Sequence, residues 1–199
     1  MAAASETVLR VFQLWWQPGE QMHGDWWQRL ELYGWQAKYT QLSLGARREL
    51  DRLICQRRAF PKPMDSAEFA ELSPLQQALL RAGQRMPMLL LAMGLLLLDC
   101  PDYLLWRPYR ETLSCWLSEA QLEQLQVLWR NGQLSPQLPP ELLVHEAQMS
   151  AQAALDRLLW ADPVWQAVRY TLPATDARQG SARAVTAGEH LFIRLEHFL

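Results

Sequence analysis

Residues 86–98 read Met-Pro-Met-Leu-Leu-Leu-Ala-Met-Gly-Leu-Leu-Leu-Leu, an unbroken apolar run bounded by Arg85 and Asp99. A bilayer-spanning helix needs about 20 apolar residues, so thirteen are too few to cross a membrane. Pro87 suits the first turn of a helix, where its missing N–H leaves nothing unpaired. With no polar face to turn toward water, the run is predicted to be a helix buried on all sides at the centre of a core.

The rest of the composition supports that centre. The chain of 199 residues holds 37 Leu but only 7 Val and 2 Ile, with half its residues hydrophobic and a net charge of −2. Helices favour Leu, Gln, Glu and Arg, whereas sheets favour branched and aromatic side chains. The expectation is a mainly α, compact single domain over residues 1–199, with a possible subdomain boundary near 60–65. An apolar content this high excludes disorder. The near-neutral balance argues against a general polyanion binder, although 17 of the 19 basic residues are Arg.

Outward from the central run, capping signals divide the chain. Val8 to Leu14 is helical in spacing and runs into Trp15-Trp16 before Pro18-Gly19. Asp25 is a candidate N-cap for Trp26, Trp27, Leu30 and Tyr33. Ser43 caps a third helix with Leu50, Leu53 and Ile54 on one face. Phe60-Pro61-Lys62-Pro63 interrupts the pattern. Ser73-Pro74 opens the next helix, Pro108 another, and Ser118-Glu119-Ala120-Gln121 has the capping-box form. Glu141 to Trp160 is the longest periodic segment, and its Ala147, Ala151 and Ala154 allow another helix to approach closely. Asp162-Pro163 is expected to end it. Val168, Tyr170 and Leu172 alternate with Arg169 and Thr171, which predicts a short β element within 166–173. Ala174 to Gly188 reads as a mobile loop. The tail 191–199 fits both templates, with helix favoured.

Tests for chemistry return little. There is no G-x-x-x-x-G-K-[ST], G-x-G-x-x-G or G-x-S-x-G. Cys55, Cys100 and Cys115 are odd in number and include no C-x-x-C, as expected of free thiols in a reducing cytosol. The N-terminus, with Glu6 and Arg10, lacks the apolar core of a secretory signal. Glu189-His190 and Glu196-His197 recur at seven residues, about 10 Å apart on a helix, too far for one metal with ligands near 2 Å. They read as surface polar residues. The acidic pairs Glu68/Glu71 and Glu119/Glu123 have the spacing of solvated helix faces. No catalytic, cofactor-binding or metal-binding residue is assigned, no cofactor is expected, and the chain is expected not to be an enzyme.

Two features remain that a core does not obviously need. Between Ala46 and Lys62, Arg47, Arg48, Arg52, Arg57, Arg58 and Lys62 stand against only Glu49 and Asp51, a local charge of +4. Such a helix suits an acidic protein surface or, alternatively, nucleic acid in a helical binding or regulatory module. Neighbours on a helix diverge by about 100°, so one ring of Trp15-Trp16 and one of Trp26-Trp27 is expected to leave the core or enter a second packing layer. Trp and Arg are enriched at interface hot spots. The candidate partner-binding residues are therefore Arg47, Arg48, Arg52, Arg57, Arg58, Trp15, Trp16, Trp26 and Trp27.

Leu79-Leu80, the run from Met88 to Leu98, Glu111-Thr112-Leu113, Gln133-Leu134 and the stretch from Trp165 to Arg169-Tyr170-Thr171-Leu172-Pro173 resemble the K component of type III secretion sorting platforms, the SctK family. The resemblance covers about residues 75–175 and rests on dispersed apolar and proline positions. It implies a cytoplasmic, non-enzymatic adaptor recruited to the cytoplasmic face of the inner membrane at the injectisome base, needed for protein secretion. Such proteins link the forkhead-associated-like cytoplasmic domain of the ring protein SctD to the pod protein SctQ. Through SctQ they connect to the stator SctL and the export ATPase SctN. Neither nucleic acid nor direct membrane insertion belongs to that role.

Overall fold

The computed structural model describes residues 2–57, 71–129, 135–175 and 183–199. The α-helices described are α1 (Ala2–Trp16), α2 (Pro18–Gln21), α3 (Gly24–Arg29), α4 (Tyr33–Gln36), α5 (Leu44–Arg57), α6 (Pro74–Ala82), α7 (Met86–Leu98), α8 (Asp102–Leu105), α9 (Arg107–Leu113), α10 (Glu119–Leu128), α11 (Pro140–Leu158), α12 (Pro163–Val168) and α13 (Arg183–Phe198). Short 3-10 turns cover Tyr39–Gln41, Gly83–Arg85 and Arg169–Thr171. No strand occurs among the described residues. The chain folds into two compact units, Met1–Gly83 with Leu159–Asp176, and Gln84–Leu158 with Ala177–Leu199. The boundary anticipated near 60–65 lies outside the described residues.

The apolar run is the axis of the second unit. Met86 and every residue from Leu89 to Leu95 are buried, so α7 is enclosed on all faces over two turns. It ends at Asp99, whose φ of +53° breaks the helical path. Helices α11 and α13 pack against it. Along α11, Leu143, Ala147, Ala151, Ala154 and Leu155 are buried, and the small residues do admit a close neighbour. A Cβ placed on Gly94 would stand 1.9 Å from the Ala147 carbonyl oxygen. From α13, Gly188 faces Met93 and Leu158, and Phe192 and Leu195 are fully buried. Glu196, also buried, pairs with Arg85 at 3.0 Å. The surface role predicted for the Glu196-His197 pair is thus wrong for Glu196. On the other side, the Tyr109 hydroxyl donates to the Leu138 carbonyl at 2.9 Å. The Tyr103 hydroxyl accepts from the Gln137 and Leu138 amides at 3.0 and 3.1 Å.

In the first unit, α1 packs on α2, α5, α6 and α12. Ser73 opens α6 as the expected N-cap, with a reciprocal capping box to Gln76 that was not anticipated, and Ser118 forms the predicted capping box for α10 with Gln121. The Gln76 amide also donates to Asp162 Oδ2 at 2.8 Å, joining α6 to the start of α12.

Four expectations are corrected. The β element within 166–173 is helix α12 followed by a 3-10 turn. Asp162 does not merely stop α11. Its Oδ1 accepts the Trp165 amide at 2.9 Å and, with Pro163 in the first turn, it starts a new helix. Val164, Trp165, Val168 and Leu172 are buried at helical spacing, and Val168 and Leu172, two apart in the alternating pattern, are equally one helical turn apart. The predicted loop 174–188 gives way to α13 from Arg183 onward, while 176–182 lie outside the described residues. His23 rather than Asp25 caps α3, and the Asp25 carboxylate instead accepts the Ala174 amide at 3.1 Å.

The Gly94 crossing gives a direct test. Gly94→Ala is expected to destabilise the protein by about 3 kcal/mol in chemical denaturation, because backbone on the facing helix cannot yield as a side chain would. Gly45→Ala, with nothing within 4 Å of the added Cβ, is expected to leave stability unchanged or raise it by about 0.5 kcal/mol.

Candidate protein-docking surface

Helix α5 carries the arginine cluster, and its seating explains where each charge goes. Ser43 Oγ accepts the Ala46 amide at 3.3 Å at the start of the helix. Positions 47, 50, 51 and 54 share one face. Leu50 and Ile54 are buried there, joining Met22, Trp26, Trp27, Leu32 and Tyr39 in one apolar cluster. Asp51 lies on the same face and is only 3% exposed.

A buried carboxylate is costly unless its oxygens are hydrogen-bonded. The Tyr39 hydroxyl lies 3.0 and 2.9 Å from the two Asp51 oxygens, and the Gly19 amide donates to Oδ1 at 3.0 Å. Any side chain at position 19 would collide, since a Cβ there would be 2.5 Å from the Tyr39 ring. Burial, and then the adjacent Asp51 charge, push the Tyr39 phenol well above its ordinary pKa. Asp51 thus ties α5 to α2 and to the turn at Tyr39. Sequence reasoning missed it, counting Asp51 only as an offsetting charge. The available signal was its place on the stripe of Leu50 and Ile54.

The arginines sort by partner. Arg47 donates through Nε to the Leu42 carbonyl at 3.1 Å and also to the Thr40 carbonyl, with its guanidinium 5.7 Å from the centre of the Tyr39 ring. Arg52 pairs with Glu49 at 2.8 Å on an exposed turn of α5. Arg57 donates to the Leu30 carbonyl and lies 3.5 Å from that of Glu31. Arg48 is exposed and has no hydrogen bond or ion pair among the described residues. It borders a small pocket with Gln17, Glu20, Tyr39, Leu44, Arg47 and Asp51. Arg58 and Lys62 lie outside the described residues.

Of the four tryptophans singled out, three are internal. Trp15 is buried and its carbonyl accepts the Cys55 thiol at 3.6 Å, whereas Trp16 is 45% exposed. Trp26 and Trp27 are both buried. Both belong to the apolar cluster beneath α5, so neither ring leaves the core, although their ring partners differ. Trp27 packs edge-on against Tyr39, 5.8 Å between centroids. Trp26 lies 4.4 Å from Tyr170, donates its indole N–H to the Leu172 carbonyl at 2.8 Å, and has the Arg29 and Arg169 guanidinium groups 5.6 and 5.3 Å from its ring centre. Exposed rings occur where the sequence drew no attention, at Trp35 and Trp160 in the first unit and Trp106 and Trp116 in the second.

The described residues hold no group of three or more His, Cys, Asp or Glu side chains placed to bind a metal, and no helix among them is long and apolar enough to cross a membrane. What the arrangement offers is exposed Arg and Trp side chains on helices and turns, residue types enriched at protein interfaces.

Residues 9–174 match a family described as Type III secretion system subunit. No curated protein and no solved structure matches the chain.

Removing the buried carboxylate tests the seating of α5. Asp51→Ala is expected to cost about 2 kcal/mol, because it leaves the Tyr39 hydroxyl and the Gly19 amide without their acceptor. The raised Tyr39 pKa stabilises the fold fully below the unfolded phenol value near 10 and progressively less above it. Thermal stability of the wild type should therefore fall more steeply above about pH 10 than that of Tyr39→Phe.

Proposed function

The chain belongs to a family of type III secretion system subunits, and from that membership we propose that it is the K component of the sorting platform. In this role it is a non-enzymatic adaptor at the cytoplasmic face of the inner membrane. One surface docks the forkhead-associated-like cytoplasmic domain of the ring protein SctD, and another docks the pod protein SctQ. Through the pod it is connected to the stator SctL and the ATPase SctN. The observation that carries the reading is the family match over most of the chain. The choice of the K component rests on the resemblance of residues 75–175 to SctK proteins. The reading is also supported by exposed tryptophans on each of the two compact units, Trp16, Trp35 and Trp160 on one and Trp106 and Trp116 on the other, which suits a protein that engages two partners.

Binding free energy in such an adaptor comes from burying apolar surface around a few aromatic and Arg contacts. Among the described residues of the arginine cluster that points to Arg48, since Arg47, Arg52 and Arg57 are engaged within the unit itself.

Calorimetric titration of the full chain with the purified SctD cytoplasmic domain tests this. Arg48→Glu should weaken binding about tenfold without changing the melting temperature, whereas Arg52→Glu should change it by less than threefold. Equal affinity for wild type and Arg48→Glu would remove α5 from the interface. Salt-dependent binding of DNA or RNA near physiological ionic strength, with no affinity for SctD or SctQ, would overturn the adaptor reading in favour of a nucleic-acid module.

A further inference from the structure

The turn of helix α8 in the second unit is divided into a buried and an exposed side. The Trp106 amide donates to the Asp102 carbonyl at 2.9 Å, so residues 102–106 complete one helical turn. At 3.6 residues per turn, Asp102 falls between Leu105 and Trp106, about 60° from the first and 40° from the second. Tyr103 and Leu104 take the opposite side and are buried, whereas Leu105 and Trp106 are 57% and 52% exposed. Trp106 packs against Tyr109, 6.4 Å between ring centres, and the Tyr109 hydroxyl is tied to the Leu138 carbonyl.

The charge around this apolar pair is negative. From Asp99 to Glu146 seven carboxylates stand against three arginines, a local charge of −4 in a chain of −2. The two described arginines of that stretch are already engaged, Arg107 with Glu111 at 2.7 Å and Arg110 with Glu119. Asp102 and Glu141 have no ion pair among the described residues. Burial raises the Tyr109 phenol pKa most, and the Glu141 and Asp102 charges add to the rise, so both carboxylates act within range of the ring that backs Trp106. Carboxylates attract a cation directly, and the face of an indole attracts one through its quadrupole.

We propose that Leu105 and Trp106, with Asp102 between them and Glu141 alongside, dock a short segment of another subunit of the secretion apparatus that carries Lys or Arg beside apolar side chains. The cation meets Asp102 and the Trp106 face, and the apolar side chains cover Leu105. A second copy of this chain fits less well, because two half-exposed side chains fall far short of the ~800 Å² per partner of a stable pairing. Anionic membranes and nucleic acids also fit less well, since uncompensated carboxylates repel them. The proposal rests on the reading of the chain as a protein-binding subunit of the apparatus, and not on which subunit it takes.

The experiment titrates the full chain against each cytoplasmic subunit of the same apparatus, purified singly, and follows affinity by calorimetry. One subunit should bind the wild type, and Trp106→Ala should weaken that binding at least tenfold. The double exchange Asp102→Asn with Glu141→Gln should weaken it about fivefold and flatten its dependence on salt, which screens exposed charges. Unchanged melting temperatures verify that the variants fold. Where Trp106→Ala lowers the melting temperature, the double exchange carries the test. If the subunit that responds is neither SctD nor SctQ, the docking surface stands and the adaptor reading fails. If SctD and SctQ bind all variants like wild type and no other subunit responds, the docking proposal fails alone. If no subunit binds the wild type, both fail. Self-association of the wild type that Trp106→Ala abolishes would overturn the proposal in favour of a second copy.

Discussion

Helix α7 has no side that water would accept, and the architecture of its unit answers that constraint. Burying a helix on all faces requires neighbours that come close, and closeness is limited by side-chain bulk. Gly94 and Ala147 remove that bulk at one crossing, where a single methyl group would meet backbone. On α13, Gly188 lies over Met93 and Leu158 at ordinary contact distance. The Arg85–Glu196 pair then fixes the end of α13 beside the start of α7. The apolar run dictates not only that it is central but that its neighbours must be small where they cross it.

The other unit is organised around a polar group instead. Asp51 is nearly as buried as the leucines beside it, and its oxygens are held by Tyr39 and by the amide of Gly19. Three of the arginines around it act locally, one on turn carbonyls, one on an adjacent glutamate and one on the carbonyl ends of a neighbouring segment. Two of the arginines, Arg47 and Arg57, thus also fasten α5 to neighbouring segments of its own unit. Among the described arginines of the cluster, the one without a local hydrogen bond or ion pair is Arg48.

Much of this was legible beforehand, for identifiable reasons. The central helix, the Ser73 N-cap, the Ser118 capping box and the small-residue face of α11 follow from local chemistry that acts within a few residues. The segment 163–172 was misread because a four-residue helical spacing between Val168 and Leu172 is also two steps of a strand. The decision belonged to the Asp162-Pro163 start signal preceding it. Trp26 and Trp27 are both buried because their partners, Tyr170 and Leu172 for one and Tyr39 for the other, are remote in sequence. The distinction between a bound and a free arginine depends in the same way on carbonyls that no local pattern announces.

The role proposed for the chain is that of an adaptor holding two proteins at once. Sedimentation velocity of an equimolar mixture of the chain, the SctD cytoplasmic domain and SctQ tests that most directly. The account predicts one species containing all three, heavier than either pairwise complex. Two pairwise complexes that displace each other, or three components sedimenting separately, would contradict it.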